Sequence, residues 1–412
     1  MEIVAARFVA GSAAYYFDDQ TAIRHGARED GFLYRGEPET TGFTDIRQPG
    51  ETVSVLLQLA DGSWAVGDCC AVQYAGAGGR DPLFNAAQQV AVLETTVAPL
   101  LLGRDTDTLS GILDEVDAAR VAGQPLHTAV RYGVSQALLH AAASSARATV
   151  TEIVCQLYEL PLPTTPVPVF AQSGDDRYRG ADKMLLRRVD ALPHGLINNV
   201  EDKLGRRGEK LHEYVAWLRQ RIDSLGSDYR PTLHIDVYGT VGLTFDNDTT
   251  AIARYFDALA DAAGPYPLYI EGPVDAGSRS AQIELLGELR QHIDAGGGRV
   301  RLVADEWCNS LADIKAFADA NCCHMAQIKT PDLGNLLDSV DAVMYCRDRG
   351  IEAYQGGTCN ETDVSARCCT QVALASRPDR LLAKPGMGVD EGVQIVRNEM
   401  ARTLAKIASP TH

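Results

Sequence analysis

Four short runs, LHIDVY (233–238), LYIEGP (268–273), RLVADEW (301–307) and AQIKTP (326–331), each carry an apolar strand pattern that stops at an ionisable group. Those groups are Asp236, Glu271, Asp305 and Lys329, and each interval between them, of 35, 34 and 24 residues, has room for one strand, one helix and their loops. Further runs at 167–172 (VPVFAQ), 351–357 (IEAYQGG) and 380–386 (RLLAKPG) extend the series in both directions. Helical periodicity lies between the runs, at 208–225, 249–263, 281–294, 310–320, 335–349 and 362–375, and Ser310-x-x-Asp313 is a capping box that fixes one helix start. Strand-then-helix alternation with nearly continuous apolar strands implies a parallel sheet, and seven or eight such units imply an α/β barrel of the TIM type.

In such a barrel the site is built at the carboxyl ends of the strands, so the four strand-end groups converge on one pocket. Three carboxylates meeting there repel one another and resist ionisation unless a cation neutralises them. An oxygen-only ligand set selects a hard divalent ion, and Mg²⁺, which keeps open positions for water or substrate, fits best. Lys329 on the next strand faces that cation, which disfavours its charged form and suits it to act as a base. A single acidic strand end is ordinarily a cap or a salt bridge, but three in register followed by Lys are a site. Gln327 precedes Lys329 by two residues and shares its strand face, and Gln172 ends the first barrel run. His194, in ALPHGLINN, follows Pro193 and reads as a loop residue, which by itself is more often a surface or capping histidine than a catalyst.

The texture differs before the barrel. Runs at 53–59 and 64–69 around Asp61-Gly62 read as a β-hairpin, and helical patterns follow at 83–102 and 127–146. Four prolines in 161–168 (PLPTTPVP) make a stiff connector, which divides the chain into an α+β unit, 1–162, and the barrel, 163–412.

Composition excludes several classes. The 412 residues carry 38 basic and 55 acidic side chains, a net charge of −17 that opposes binding to nucleic acid or an anionic membrane. The ten cysteines contain no C-x-x-C spacing and are expected as buried free thiols of a cytoplasmic protein. The N-terminal apolar run is broken by Arg7 and closed by Asp18 and Asp19, which makes a poor signal peptide, and no stretch is long enough to span a membrane. Gly76 to Gly79 and Gly386 to Gly388 suggest phosphate loops, but neither completes G-x-G-x-x-G, and the second precedes Asp390 and Glu391.

The Asp, Glu, Asp, Lys series resembles the enolase superfamily, which pairs an α+β capping domain with a modified barrel. Within it, GDCCAVQYAGAGGRDPLF (67–84), VPVFAQSGDDRY (167–178), LPHGLINNVE (192–201), HIDVYGT (234–240), ADEWCN (304–309), QIKTPDLG (327–334), YQGGTCNET (354–362) and LAKPGMGVDEG (382–392) resemble the methylaspartate ammonia-lyase family. The resemblance runs from about residue 16 to residue 400. It implies a carbon–nitrogen lyase that eliminates ammonia from threo-3-methyl-L-aspartate to give mesaconate. Removing the C3 proton builds a second negative charge on a carboxylate, and Mg²⁺ stabilises the resulting ene-diolate.

On this sequence the resemblance assigns Mg²⁺ to Asp236, Glu271 and Asp305, proton abstraction to Lys329, and the second base, on the opposite substrate face, to His194. It gives the α-carboxylate to Gln172, Thr358 and the Cys359 backbone amide, the other carboxylate to Gln327, and the amino group to Gln73. Phe170, Tyr354 and Leu382 would wall the methyl and amine side, although plain barrel core is an equal reading for them. The resemblance further implies a homodimer and a K⁺ ion supporting the site. The rival expectations are another enolase-superfamily enzyme (dehydratase, cycloisomerase or epimerase) on a different carboxylate, and a catalytically silent barrel.

Overall fold

A computed structural model describes residues 1–76, 79–226, 228–386 and 388–409. Ala77, Gly78 and Met387 of the two glycine-rich loops lie outside the described residues. Near the N-terminus a three-stranded antiparallel sheet is formed by β1 (Ile3–Asp18), β2 (Arg47–Leu59) and β3 (Trp64–Asp68), in the order β1-β2-β3. The expected hairpin is β2–β3. Strand β1, absent from the sequence reading, is an edge strand whose middle, rich in Ala, Gly and Ser, carries little hydrophobic alternation.

The helices of this unit include α1 (Thr128–Ala146) and α2 (Val150–Leu157), the second opened by a Thr149/Glu152 capping box. The pattern at 83–102 is a helical run over 86–101 with one π turn, Leu93–Val97. Strand β3 crosses α1 so closely that a Cβ on Gly133 would sit 2.5 Å from Cys69 Sγ, so glycine is needed there.

Eight parallel strands close the barrel in chain order: β4 (Val169–Phe170), β5 (Ala191–His194), β6 (Thr232–Asp236), β7 (Leu268–Glu271), β8 (Val300–Ala304), β9 (Met325–Ile328), β10 (Glu352–Gln355) and β11 (Arg380–Leu382). Each is followed by a helix: α3 (Arg177–Leu186), α4 (Glu209–Asp223), α5 (Thr249–Ala263), α6 (Arg279–Ala295), α7 (Leu311–Asp319), α8 (Leu336–Asp348), α9 (Asp363–Ser376) and α10 (Asp390–Ile407). The predicted capping box opens α7, with Ser310 and Asp313 bonded reciprocally.

Strand β5 corrects the sequence reading, which left ALPH as loop. Its four residues include Pro193, which cannot donate to a ladder, and that breaks the strand signal. Pro193 nevertheless keeps its carbonyl, which accepts from the Ser173 amide at 3.0 Å.

The barrel core fills the space between strands and outer helices, and a smaller cluster, including Phe170, Tyr269, Met325 and Tyr354, fills the interior. The N-terminal core runs onto the barrel, because Leu336 and Val340 of α8 and Cys368, Cys369 and Val372 of α9 belong to it. All ten cysteines are buried free thiols. No described helix is long and apolar enough to cross a membrane.

Candidate active site

Strand geometry delivers the expected groups to one rim. His194, Asp236 and Glu271 are the last residues of β5, β6 and β7, while Asp305 and Lys329 stand one residue beyond β8 and β9. Asp236 pairs laterally with Glu271, and His194 with Ile235. In an eight-stranded barrel β5 and β9 are four strands apart, so His194 and Lys329 face each other from opposite walls.

The three carboxylates are 0–5% exposed. Burial, then the charges of Glu271 and Asp305, push Asp236 well above the usual carboxylate range. Burial and Asp305 push Glu271 up to about 8. Ligand atoms of His194, Asp236 and Glu271 lie within 4.8 Å of one another. Asp305 is turned aside into an ion pair, Lys329 Nζ to Asp305 Oδ1 at 2.9 Å. Burial is the largest influence on Lys329 and by itself lowers its pKa, but the charges of Asp305, Glu306 and Asp332 together outweigh it and the net direction is upward.

His194 carries φ of 64°, in the left-handed region, and such strain at a non-glycine residue persists only where the surroundings fix it. Its Nε2 is 3.5 Å from Asp236 Oδ2, and its Nδ1 is buried without a partner. Burial and the Lys329 charge lower its pKa to about 3, so the imidazole is neutral through the physiological range.

A cavity over this rim is lined by Gln73, Gln172, His194, Asp236, Asp305, Gln327, Lys329, Thr358, Cys359 and Leu382. Gln172 Nε2 is a second buried donor without a partner. A Cβ on Gly386 would overlap the Gln172 amide, which explains the glycine of the second false phosphate loop. Burial raises the Cys359 thiol to about 12, so it is no nucleophile at neutral pH. Phe170 and Tyr354 lie beneath this lining, in the interior cluster. Tyr354 donates its hydroxyl to Glu271 Oε1 at 2.6 Å and receives Gln327 Nε2 at 2.5 Å.

The N-terminal unit closes the cavity. Arg47 grips Asp18 bidentately at 2.7 Å, and Asp18 Oδ2 accepts Gln73 Nε2 at 2.6 Å. The Gln73 amide turns its NH₂ to the Asp18 carboxylate and its Oε1 to the other side, where it accepts the Cys359 thiol at 3.3 Å.

Residues 1–159 match the family described as methylaspartate ammonia-lyase N-terminus, and residues 161–409 match the family described as methylaspartate ammonia-lyase C-terminus. The chain belongs to the methylaspartate ammonia-lyase family. It is similar to the crystal structure of the Citrobacter amalonaticus methylaspartate ammonia lyase containing (2S,3S)-3-methylaspartic acid, with 56% identity, 99% and 100% of the two chains covered and a TM-score of 0.97. The Mg complex of β-methylaspartase from Clostridium tetanomorphum is 52% identical over 99% of each chain, with a TM-score of 0.94. The muconate lactonizing enzyme of Pseudomonas putida, 17% identical over 91% of this chain and 85% of that one, shares the fold at a TM-score of 0.61. An α/β barrel with an N-terminal α+β unit is thus the architecture this family has in common with that enzyme.

Groups at the site without a sequence expectation include Tyr74, Tyr238 and Glu306 in the cavity lining, together with Arg80 and His234. Arg80 lines the cavity from the N-terminal unit and reaches Asp332 Oδ2 at 2.8 Å and Glu306 Oε2 at 3.2 Å, tying its loop to the segments that follow Lys329 and Asp305. Its only sequence signal is an arginine in a glycine-rich loop. His234, two residues before Asp236, shares its strand face by the period of two; its Nε2 meets Glu271 Oε2 at 2.8 Å.

Proposed function

We propose that this chain eliminates ammonia from threo-3-methyl-L-aspartate to give mesaconate, reversibly. The observation that carries the reading is the arrangement of His194 and Lys329 on opposite walls with three buried carboxylates between them.

The donor set fits a divalent cation. The rise of Glu271 to about 8 and of Asp236 well above the usual carboxylate range means that the buried carboxylates repel one another as they stand. Asp236, Glu271 and Asp305 would hold Mg²⁺, which would supply positive charge opposite the second negative charge that grows on the substrate carboxylate. The Mg complex of the Clostridium relative supports the choice of metal.

The remaining work falls to side chains. Lys329 takes the C3 proton at Nζ; with Asp305 turned to the cation, the amine would lose the largest of the acidic charges that favour its protonated form. The electron pair left on C3 forms the C2–C3 double bond as the C2–N bond breaks, and ammonia departs with the bonding pair. Gln172, whose Nε2 is unpartnered, binds the α-carboxylate with Thr358 and the Cys359 amide, and Gln327 binds the other carboxylate. Gln73 accepts from the amino group through Oε1. His194, neutral and on the far wall, serves the C3 epimer. Leu382 walls the methyl and amine side from the cavity lining, with Phe170 and Tyr354 behind it.

The proposal includes the division into a capping domain, 1–162, and a catalytic barrel, 163–412, supported by the proline-rich connector. A cytoplasmic location is supported by the buried free thiols. A homodimer and a supporting K⁺ rest on the family resemblance. The test is incubation with threo-3-methyl-L-aspartate and Mg²⁺, followed by ultraviolet absorbance of the conjugated product and by ammonia release. Both should rise together; neither rising would overturn the reading.

A further inference from the structure

Glu271 is the most enclosed of the three carboxylates, and its partners lie below it, away from the cavity. Its Oε2 meets His234 Nε2 at 2.8 Å, and the other ring nitrogen, Nδ1, meets Arg380 Nη1 at 2.8 Å. His234 and Glu271 are fully buried and Arg380 is 6% exposed. Phe170 stacks on the imidazole with centroids 4.2 Å apart and planes 13° from parallel, which fixes the ring orientation. The guanidinium lies 3.9 Å over the Tyr269 ring, whose hydroxyl donates to Glu352 at 2.8 Å.

The donor inventory makes this chain directional. A guanidinium has only donors, so Nδ1 of His234 must accept. The ring is then neutral with its hydrogen on Nε2, and that hydrogen points at Glu271. We infer that Arg380 is a positioning residue for the metal site: through His234 it fixes the tautomer that donates to Glu271 Oε2 and holds this carboxylate turned toward Asp236. The inference rests on Glu271 being a metal ligand, as proposed above. Partners of this kind, which orient a ligand without touching the metal, typically change affinity by about 10–100-fold when removed.

Without Arg380 the ring is free to put its hydrogen on Nδ1, which would set the Nε2 lone pair against the carboxylate. Arg380→Met keeps an apolar chain over Tyr269 but removes the donor; His234→Gln keeps an amide that can accept from Arg380 and donate to Glu271. The experiment is Mg²⁺ titration of the purified, metal-stripped full chain by calorimetry, with thermal melting in chelator as the fold control.

Arg380→Met should weaken Mg²⁺ binding about tenfold or more, while His234→Gln stays closer to wild type than His234→Leu. A folded Arg380→Met that binds Mg²⁺ within twofold of wild type overturns the inference. Should that variant fail to fold, the order of His234→Gln and His234→Leu decides, and equal affinities would overturn it. Glu271→Gln separates the underlying reading: unchanged affinity there removes Glu271 from the metal site, whereas lost affinity there with Arg380→Met unaffected defeats the positioning role alone.

Discussion

Leu382 ends β11 and lines the cavity, only 3% exposed. Truncating it to Ala opens space on the wall where the amine would lie, so Leu382→Ala should accept larger amines in the reverse addition to mesaconate. Product formation across a series of alkylamines checks this, and an unchanged amine profile would remove Leu382 from that wall. At this scale the sequence was informative wherever a residue ends an apolar run: Asp236, Glu271, Asp305 and Lys329 declare themselves because a strand end has nowhere to put a charge except the rim. It was silent where function depends on distant partners. Arg80 acts on Asp332, and the Gln73 amide is oriented by Asp18 and Arg47, contacts that no local pattern encodes.

The elements show a similar division. Strands β6 to β9 were legible because each is a short apolar run that stops at an ionisable group and is followed by a helical pattern, and α7 because of its capping box. Strand β5 was not, since Pro193 interrupts four residues, and with it the placement of His194 in the barrel wall was hidden. The loop after β3 is held to the end of β1 by the Asp18 amide, which donates to the Gln73 carbonyl at 3.0 Å, as well as by the side-chain bond between the same residues. Asp18→Asn keeps the shape but lets the new amide face Arg47 with its oxygen and Gln73 with its nitrogen. Gln73 would then turn its own NH₂ toward the substrate nitrogen. The KM for ammonia in the reverse reaction should rise about tenfold or more, the size of one misplaced charge-assisted hydrogen bond, with the KM for mesaconate little changed. Equal changes in both would show that the amide orientation does not select the amine.

Across the whole molecule, the acidic rim links stability to pH and metal. Glu271 titrates near 8 when folded against an ordinary 4.5, and Asp236 is raised in the same direction, so the folded metal-free protein binds more protons than the unfolded chain between those values. Stability in chelator should therefore fall as pH rises from about 4.5 to 8, and the gain in melting temperature on adding Mg²⁺ should grow over the same interval. A Mg²⁺ effect independent of pH would mean that the cation does not relieve this repulsion. Under the proposed function part of the excess charge of −17 has a local purpose, since Asp236, Glu271 and Asp305 would hold a cation before a dianionic substrate.

The central claim is that two bases face each other across that cation. It is tested most directly by measuring mesaconate formation from the L-threo substrate and from its C3 epimer with Lys329→Ala and His194→Ala at saturating Mg²⁺. Lys329→Ala should lose the L-threo reaction by at least about 10²–10⁴-fold, the usual worth of a positioned base, and His194→Ala should lose the epimer more than the L-threo substrate. If both variants lose both epimers to the same extent, the two-base account is wrong.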